Sequence, residues 1–229
     1  MRWVEDYQLF LFDLDGLLVN TEEIHYFAYK KMCAGRGFAL SWDFVEYCLK
    51  AHYDSERLRK SIYSDIPQLY EMEPNWEVLY REKKDAMLDL LNEGAVHMMP
   101  GAEELLHSLA EADIPRCVVT NSPDEQIQLI RKKNAVLDTI PHWFTRETYS
   151  HPKPHPECYL NAIKTLGGSA EKVIGFEDTP KGLTALMQTR AKPVFISQVE
   201  YPEIPEYIAK GVLHFGSLES LSGIGTVQK

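Results

Sequence analysis

Four short polar segments carry the residues of this chain that could perform chemistry. The first is Asp13-Leu14-Asp15-Gly16 and the second is Thr120-Asn121-Ser122. The third is Lys153-Pro154 and the fourth is Glu177-Asp178-Thr179. Together they offer carboxylates, hydroxyl groups and one ammonium group, which is the set of groups that phosphoryl transfer requires.

Each of these groups has a part in such a reaction. A carboxylate can attack phosphorus and form an acyl phosphate, which replaces one difficult displacement by two easier ones. Because a phosphate monoester repels a carboxylate, cations must neutralise the charge. Mg²⁺ prefers hard oxygen ligands, usually one or two carboxylates with phosphate and water. Asp13 and Asp178 can supply those carboxylates and Lys153 can screen the nucleophile and the phosphate, so we predict Mg²⁺ as the cofactor.

The first two segments also suggest a proton donor and a phosphate-binding hydroxyl. Asp15 lies two residues after Asp13, in a turn that Gly16 permits. There it could protonate the leaving oxygen and later deprotonate the attacking water. Thr120 and the N–H groups that follow it can bind phosphate oxygens. The candidate catalytic residues are therefore Asp13, Asp15, Thr120 and Lys153.

Each segment also has an ordinary structural explanation. The first alone is a turn with two solvated carboxylates, and Thr120-Asn121-Ser122 alone is more often a strand end that caps the next helix. Lys153 alone is a surface lysine, and the acidic fourth segment before Pro180 could be a helix cap. Their order, and their position after predicted strands, favour one shared site over coincidence.

The elements that must position these segments follow from the apolar pattern. Residues 7–12 form a short apolar and aromatic run that predicts a buried strand. After residue 100 strand and helix patterns alternate, which predicts an α/β fold with a doubly wound, mainly parallel, Rossmann-like sheet. In such sheets ligands bind beyond the carboxyl ends of the strands. The further strands are predicted at 115–120, 142–144, 173–176 and 193–196.

The chain between residues 22 and 94 has a different pattern. Apolar residues recur there at helical spacing and β-branched runs are missing, which predicts a small α-helical cap domain inserted after the first strand. We place the α/β core at 1–19 and 97–229 and the helical cap at 20–96. The Ser- and Gly-rich tail after Leu218 is expected to fray.

The composition limits the kinds of partner. The chain has 229 residues and a formal net charge of −10, which disfavours nucleic acid as a partner. Its apolar runs are far shorter than the roughly 20 residues of a membrane-spanning helix. Without a C-x-x-C pair, the cysteines are expected to be buried thiols, which suits a reducing compartment. We expect a cytoplasmic monomer that binds a small phosphorylated metabolite, with neither nucleic acid nor membrane as a partner. The four cysteines are Cys33, Cys48, Cys117 and Cys158.

The motifs resemble those of the haloacid dehalogenase-like phosphatases, in the branch that includes β-phosphoglucomutase and small sugar-phosphate phosphatases. The stretch Phe12-Asp13-Leu14-Asp15-Gly16-Leu17-Leu18-Val19-Asn20-Thr21-Glu22 is similar to the first motif of that branch. Residues 118–122, 153–157 and 175–179, with Gly182, resemble the second, third and fourth motifs. The match runs through nearly the whole core, from Phe10 to Ile196.

The resemblance implies roles for the matched residues. It implies a helical cap between the first two motifs, Asp13 as the nucleophile and Asp15 as the general acid and base. It also implies that Asp13, Asp178 and the Asp15 carbonyl hold the magnesium ion, and we place Glu177 in the same metal-binding group. A plain dehalogenase is disfavoured, because those enzymes resemble this chain less at Asp15, where they lack the acid/base carboxylate.

The cap supplies candidate substrate-binding residues. Thr21 and His25 lie four residues apart on one face of the first cap helix, a spacing that resembles β-phosphoglucomutase. Lys50, Lys83 and Lys84 fall near the cap lysines of that mutase. A helix histidine satisfied within the fold is an equal alternative for His25, and a solvated face is the favoured alternative for the three lysines. The predicted substrate-binding residues are Asn121, Ser122, Thr21, His25, Lys50 and Lys84.

Two departures from the mutase pattern favour hydrolysis. The arginine expected a few residues after Lys50 is missing, and His52-Tyr53-Asp54 stands there. Asn121-Ser122-Pro123 resembles the phosphatase version of the second motif. We therefore predict a Mg²⁺-dependent phosphatase that hydrolyses small phosphorylated metabolites, such as sugar phosphates, through an aspartyl phosphate. The alternatives are a β-phosphoglucomutase-like sugar phosphate isomerase and a non-catalytic interaction protein with this fold.

Overall fold

The computed structural model of the protein describes residues 1–226, and the chain forms two compact units. One unit consists of Met1–Asn20 and the chain from His97 onward, and the other of Thr21–Val96. The first is built from a parallel sheet with helices, and the second from helices. The predicted fold class, an α/β sheet with a helical insertion after its first strand, is confirmed.

The helical unit contains five helices with well-defined starts. Asp43, Asp54 and Asn75 cap three of them, since their side-chain oxygens accept main-chain N–H groups at 2.8, 3.1 and 3.1 Å. The first and last helices pack against each other. The five are α1 (Thr21–Gly35), α2 (Phe44–Ala51), α3 (Ser55–Asp65), α4 (Pro67–Met72) and α5 (Trp76–Asn92).

The α/β unit contains a six-stranded sheet in which all neighbouring strands are parallel. The strands are β1 (Leu9–Phe12), β2 (Arg116–Val119), β3 (His142–Phe144), β4 (Val173–Glu177), β5 (Lys192–Ile196) and β6 (Leu213–Phe215). Their spatial order is β3-β2-β1-β4-β5-β6, so the order reverses between β1 and β4. Ligands of doubly wound sheets bind in the crevice at such a reversal.

The described part of the α/β unit contains five α-helices, and both faces of its central strand are buried. Leu9 and Leu11 join an apolar cluster with side chains of α8, whereas Phe10 and Phe12 stack with Phe176 on the other face. Burial on both faces explains why the strand is apolar throughout rather than alternating. The helices are α6 (Ala102–Glu111), α7 (Asp124–Lys133), α8 (Glu157–Leu166), α9 (Pro180–Leu186) and α10 (Ile204–Ala209).

The C-terminal segment differs from its prediction. Leu218–Thr226 forms a 3₁₀ helix, and Leu218, Leu221 and Ile224 are buried. Gly101, which has a φ of +82°, approaches the backbone at Glu219 so closely that an added Cβ would overlap it. The expected fraying is therefore wrong as far as residue 226, because the apolar residues among the serines and glycines pack into the unit. Residues 227–229 lie outside the described part of the chain.

All four cysteines are buried free thiols, as expected. No helix among residues 1–226 has both the length and the apolar character that crossing a bilayer requires.

Candidate active site

Strand register brings the first, second and fourth polar segments to one edge of the sheet. Phe12 pairs with Val118 on one side and with Phe176 on the other. The residues that follow these three positions therefore leave the sheet at the same level. The main-chain N–H of Asp13 still donates to the carbonyl of Phe176, at 3.1 Å, which fixes Asp13 at the strand end.

A tight turn then separates Asp15 from Asp13. Gly16 has a φ of +79°, in the left-handed region that glycine adopts without strain. Its N–H donates to the Val19 carbonyl at 2.8 Å, and the N–H groups of Leu18 and Val19 donate to the Leu14 carbonyl at 3.0 and 3.2 Å. The turn holds Asp15 off the strand, as the sequence predicts from Gly16.

Lys153 is the centre of a buried ionic cluster. Its side chain donates hydrogen bonds to Asp13 Oδ1, to Glu177 Oε1 at 2.6 Å and to the Val119 carbonyl at 2.8 Å. Lys153 is only 4% exposed and Glu177 only 1%. The surface interpretation of Lys153 is therefore wrong: all three ammonium protons have acceptors inside the protein.

Glu177 is fixed by more than the lysine. The Tyr159 hydroxyl donates to the same oxygen, Oε1. Its other oxygen lies against Gly182 in α9, where a Cβ would overlap the carboxylate. Glycine at position 182 therefore makes room for a carboxylate that holds Lys153. In the same segment Thr179 does cap α9, accepting the N–H of Gly182 at 3.1 Å, so one of its three residues has the ordinary role.

The charges of this cluster do not balance. Asp13, Glu177 and Asp178 are all buried, and one oxygen from each lies within 4.8 Å of the others. Burial raises the pKa of Asp13 well above its usual value; Lys153 opposes this shift, and Glu177 and Asp15 add to it. Burial alone would lower the pKa of Lys153. The negative charges of Asp13 and Glu177 outweigh this effect, so the pKa lies well above its usual value. Three carboxylates thus share the cluster with one ammonium group, which contacts two of them.

A divalent cation fits this donor set. Its donors are carboxylate oxygens, which suit Mg²⁺ rather than a metal that prefers nitrogen or sulfur. Two positive charges would also offset the excess of buried negative charge. Within the cluster, Glu177 is the most enclosed carboxylate, because one oxygen accepts from Lys153 and Tyr159 and the other lies against Gly182.

Asp15 is held by three donors. Its Oδ2 accepts from the Thr120 hydroxyl at 3.0 Å and from the Ser122 hydroxyl at 2.6 Å. Its Oδ1 accepts from the Gln126 amide at 3.3 Å. The residue that precedes α7 is Pro123, which makes no side-chain cap, and the first N–H of the helix, that of Asp124, donates to Glu147 Oε2 at 3.2 Å. The second segment therefore serves Asp15 rather than a helix end.

Asn121 ties the second segment to the lysine loop. Its Oδ1 accepts the main-chain N–H of Lys153 at 3.2 Å and the Tyr149 hydroxyl at 2.7 Å. Tyr149 also lies 2.8 Å from the Thr120 carbonyl oxygen. Asn121 and Ser122, predicted to bind substrate, thus lie at the site with side-chain oxygens engaged in contacts within the protein.

The predicted cap residues lie in the helical unit in three settings. Thr21 is fully buried at the start of α1. Lys50 is paired with Glu46 and Asp65, each at 3.4 Å. Lys84 is exposed, with its Nζ 5.3 Å from the centre of the Tyr80 ring. Of the two lysines, only Lys84 has the solvated setting that the alternative interpretation favours.

His25 belongs to a polar cluster inside the helical unit. Its Nδ1 contacts the ammonium of Lys83, which is 3% exposed, so the solvated interpretation of Lys83 is wrong. Glu22 Oε2 lies 3.0 Å from His52 Nε2. Burial raises the pKa of Glu22, but the charge and hydrogen bond of His52, with the charges of His25 and Lys83, lower it to about 2.

Sequence reasoning missed several of these residues. Tyr159 and Gln126 had a usable signal, because Tyr159 lies in the helix after Lys153 and Gln126 comes four residues after Ser122, one helical turn on. Tyr149 had none, since its hydroxyl reaches the site across 29 residues of chain. Glu22 and His52 meet only through the packing of the helical unit.

Comparison with known protein families identifies the family of this chain. The model of the haloacid dehalogenase-like hydrolases matches residues 10–195, so the chain belongs to this family. The predicted family is thereby confirmed.

Curated relatives include enzymes of both predicted kinds. A validoxylamine A 7′-phosphate phosphatase of Streptomyces hygroscopicus subsp. limoneus is 27% identical over 78% of this chain and 80% of its own. A phosphorylated carbohydrates phosphatase of Thermotoga maritima is 26% identical over 76% and 78% of the two chains. A β-phosphoglucomutase of Bacillus subtilis is 24% identical over 82% of each. Phosphatases, the predicted class of enzyme, are thus among the relatives.

Solved structures agree on the fold. A HAD hydrolase of family IA, variant 3, from Entamoeba histolytica is 26% identical and superposes with a TM-score of 0.71. The match covers 93% of this chain and 94% of that one.

Proposed function

We propose that the protein is a Mg²⁺-dependent phosphatase that hydrolyses small phosphorylated metabolites through a phosphorylated Asp13. The observation that carries the proposal is the buried cluster at the carboxyl edge of the sheet. There Lys153 bonds Asp13 and Glu177, and Asp178 adds a third carboxylate. Burying three carboxylates is costly unless cations compensate them, so their retention favours a site for a metal ion and a phosphate.

The metal would be held by the carboxylates of Asp13 and Asp178 with the main-chain carbonyl of Asp15. When bound, Mg²⁺ supplies positive charge against the phosphate oxygens and so stabilises the transferring group. Glu177 acts through Lys153, because its carboxylate, which accepts the Tyr159 hydroxyl, keeps the ammonium beside Asp13. Lys153 then reduces the repulsion between the nucleophile and the incoming phosphate.

In the first step a carboxylate oxygen of Asp13 attacks phosphorus while the bond to the leaving oxygen breaks. Asp15 in its acid form gives its proton to that oxygen, so that an alcohol departs. Thr120, Ser122 and Gln126 orient the Asp15 carboxyl group for this transfer. The product of the step is an acyl phosphate on Asp13.

In the second step water attacks the phosphorus of the acyl phosphate. Asp15, now a carboxylate, takes a proton from that water, and the bond to Asp13 breaks to release inorganic phosphate. Asp13 thereby returns to the carboxylate form and Asp15 to the acid form. The same three donors that oriented Asp15 as an acid stabilise it as the base, because a carboxylate accepts all three hydrogen bonds.

Two observations support the proposed substrate class. The relatives named above act on a phosphorylated carbohydrate class and on validoxylamine A 7′-phosphate, which are small phosphorylated compounds. Within the helical unit, Lys84 is exposed and offers a cation for recognition, and Lys50, Thr21 and His25 complete the proposed set. Sugar phosphates are the first class to test. The proposal also places the enzyme in the cytoplasm as a monomer, which its free, buried thiols suit.

A β-phosphoglucomutase-like isomerase is the second candidate, because a mutase of that kind is among the relatives. A mutase has to hold a second phosphate while the sugar turns round. In this chain His52-Tyr53-Asp54 replaces the expected arginine, and both ends of that stretch have other tasks. His52 contacts Glu22, and Asp54 caps α3. These contacts favour hydrolysis.

The test is a panel of sugar phosphates, nucleotides and small phospho-acids assayed with Mg²⁺ for inorganic phosphate and for isomerised product. We expect phosphate release from one or more monophosphates and at most trace conversion of β-glucose 1-phosphate. Efficient isomerisation stimulated by a sugar bisphosphate, with little phosphate released, would establish the mutase. Absence of turnover across the panel by a folded protein that binds Mg²⁺ would favour a non-catalytic role.

A further inference from the structure

A second cluster of metal-ligating side chains lies in the segment that carries Lys153. His151 and His155 are exposed, Glu157 is half-buried, and one ligand atom from each lies within 4.8 Å of the others. The two imidazole rings have their centres 4.8 Å apart. His151 Nδ1 lies 2.5 Å from Glu157 Oε2. The cluster is distinct from the buried acidic cluster, which contains no histidine.

The carboxylate of this cluster is already oriented by the backbone. Glu157 Oε1 accepts the N–H of Ser150 at 3.0 Å, and its Oε2 accepts the N–H of His151 at 2.9 Å. The N–H of Glu157 in turn donates to His155 Nδ1 at 3.2 Å. The segment is thus folded back onto the first turn of α8. Hydrogen bonds of this kind fix ligand orientation in metal sites and raise their affinity.

We propose that His151, His155 and Glu157 form a second metal site, for a divalent cation of the zinc class. Two imidazole nitrogens and one carboxylate oxygen are a donor set that zinc accepts, with water as the fourth ligand, whereas Mg²⁺ prefers oxygen donors alone. Bonds of about 2.0–2.2 Å to the metal require small rotations of the two rings. Their exposure permits these rotations. The metal takes the place of the proton between His151 and Glu157.

The position of the site gives it a structural consequence. Lys153 lies between His151 and His155 in the chain, so a bound cation would link the two sides of the residue that contacts Asp13 and Glu177. The site would therefore restrain the loop that places the lysine. The inference does not depend on the proposed phosphatase reaction, because the ligands and the probe are separate from it.

The test is isothermal titration of the full chain with Zn²⁺ in excess Mg²⁺, which keeps the acidic cluster occupied. We expect one equivalent of Zn²⁺ to bind, with affinity at least about tenfold weaker in His151→Ala and in His155→Ala. His107→Ala is the matched control, because His107 is an exposed histidine 3.7 Å from Glu103 on a single helix. Its affinity for Zn²⁺ should equal that of the wild type.

Proton NMR of the imidazole rings identifies the ligands directly. Substoichiometric Zn²⁺ should shift or broaden the resonances of His151 and His155 and leave those of His107 in place. The proposal is overturned by an absence of binding, or by unchanged binding in both cluster variants. It is also overturned if Asp178→Asn abolishes Zn²⁺ binding while His155→Ala keeps it, since the zinc would then lie in the acidic cluster.

Discussion

The two units of the protein each bury a group of charged side chains, but they assemble these groups differently. In the α/β unit Asp13 and Glu177 lie at strand ends, and Lys153 enters from a loop between them. In the helical unit Glu22 lies in the first turn of α1 and Lys83 in the middle of α5, and these two helices pack against each other. Strand register fixes the first arrangement, whereas side-chain packing on helices fixes the second.

The difference also appears in the balance of charge. The acidic cluster of the α/β unit gathers three carboxylates, two of which contact one ammonium group, so its donor set suits a further cation. In the helical unit Glu22 faces His52, His25 and Lys83, which lower its pKa to about 2. An unbalanced cluster is typical of a functional site, whereas a satisfied one can serve stability alone. Variants in the two units should therefore separate activity from stability.

The largest effect is expected for Asp13→Asn. The amide has nearly the same shape as the carboxylate but is a poor nucleophile, so turnover should fall below about 1% of the wild type. Phosphate release measures the loss, and circular dichroism checks that the fold is kept. Asp85→Asn, at an exposed position of α5, is the matched control and should retain full activity. Activity of Asp13→Asn well above 1% would remove Asp13 from the role of nucleophile.

Loss of the metal should have the second largest effect on activity. An excess of chelator should abolish activity and added Mg²⁺ should restore it. Asp178→Ala should raise the Mg²⁺ concentration for half-maximal activity by about tenfold or more, because the cation loses one of two carboxylate ligands. Titration of activity with Mg²⁺ measures this shift, with Asp85→Asn again as the control. Undiminished activity in excess chelator would contradict the metal site.

Residues at strand ends are easier to predict from the sequence than residues whose setting depends on helix packing. Asp13 and Glu177 can be predicted because residues at the ends of parallel strands must meet at one sheet edge, whatever their side-chain conformations. Lys153 lies in a loop before α8, so its place depends on the loop and on the motif that it resembles. The solvated interpretation of Lys83 is wrong because a pair of adjacent lysines in a polar helix is typical of an exposed face. The sequence alone does not show how that helix packs. Strand β6 and helix α10 were also missed, since Leu213–Phe215 is only three residues long and the apolar pattern before it is weak.

The helical unit offers the converse test, in which stability changes. The pKa of Glu22 is depressed in the folded protein, to about 2, so its stabilisation is fully present above the unfolded value near 4.5. That contribution, on the order of 3 kcal/mol, is lost as the pH falls towards 2. Glu22→Gln should therefore lower the unfolding midpoint in urea at pH 6 and flatten its decline between pH 5 and pH 3.

Glu23→Gln is the control for that measurement, because Glu23 is the exposed neighbour of Glu22 on α1. Its urea midpoint should follow that of the wild type across the pH range. Equal pH dependence in Glu22→Gln and in the wild type would show that Glu22 is not the stabilising carboxylate. The polar cluster of the helical unit would then lack the balance of charge that distinguishes it here.

The smallest effect is expected at Gln126, and it tests whether the donors around Asp15 act on catalysis. The Gln126 amide donates to Asp15 Oδ1 at 3.3 Å, a long bond, while Thr120 and Ser122 hold the other oxygen more closely. Removal of one weak hydrogen bond to a carboxylate is worth about 1 kcal/mol, so Gln126→Ala should lower kcat about fivefold. The loss should be concentrated in substrates whose leaving oxygen must be protonated. The first step with p-nitrophenyl phosphate, whose leaving group needs no acid for departure, should lose little rate.

Gln128→Ala, exposed on the same helix, is the control. An equal loss for both classes of substrate would assign Gln126 a purely structural role, and the orientation of Asp15 would then depend on its other contacts, Thr120 and Ser122 among them.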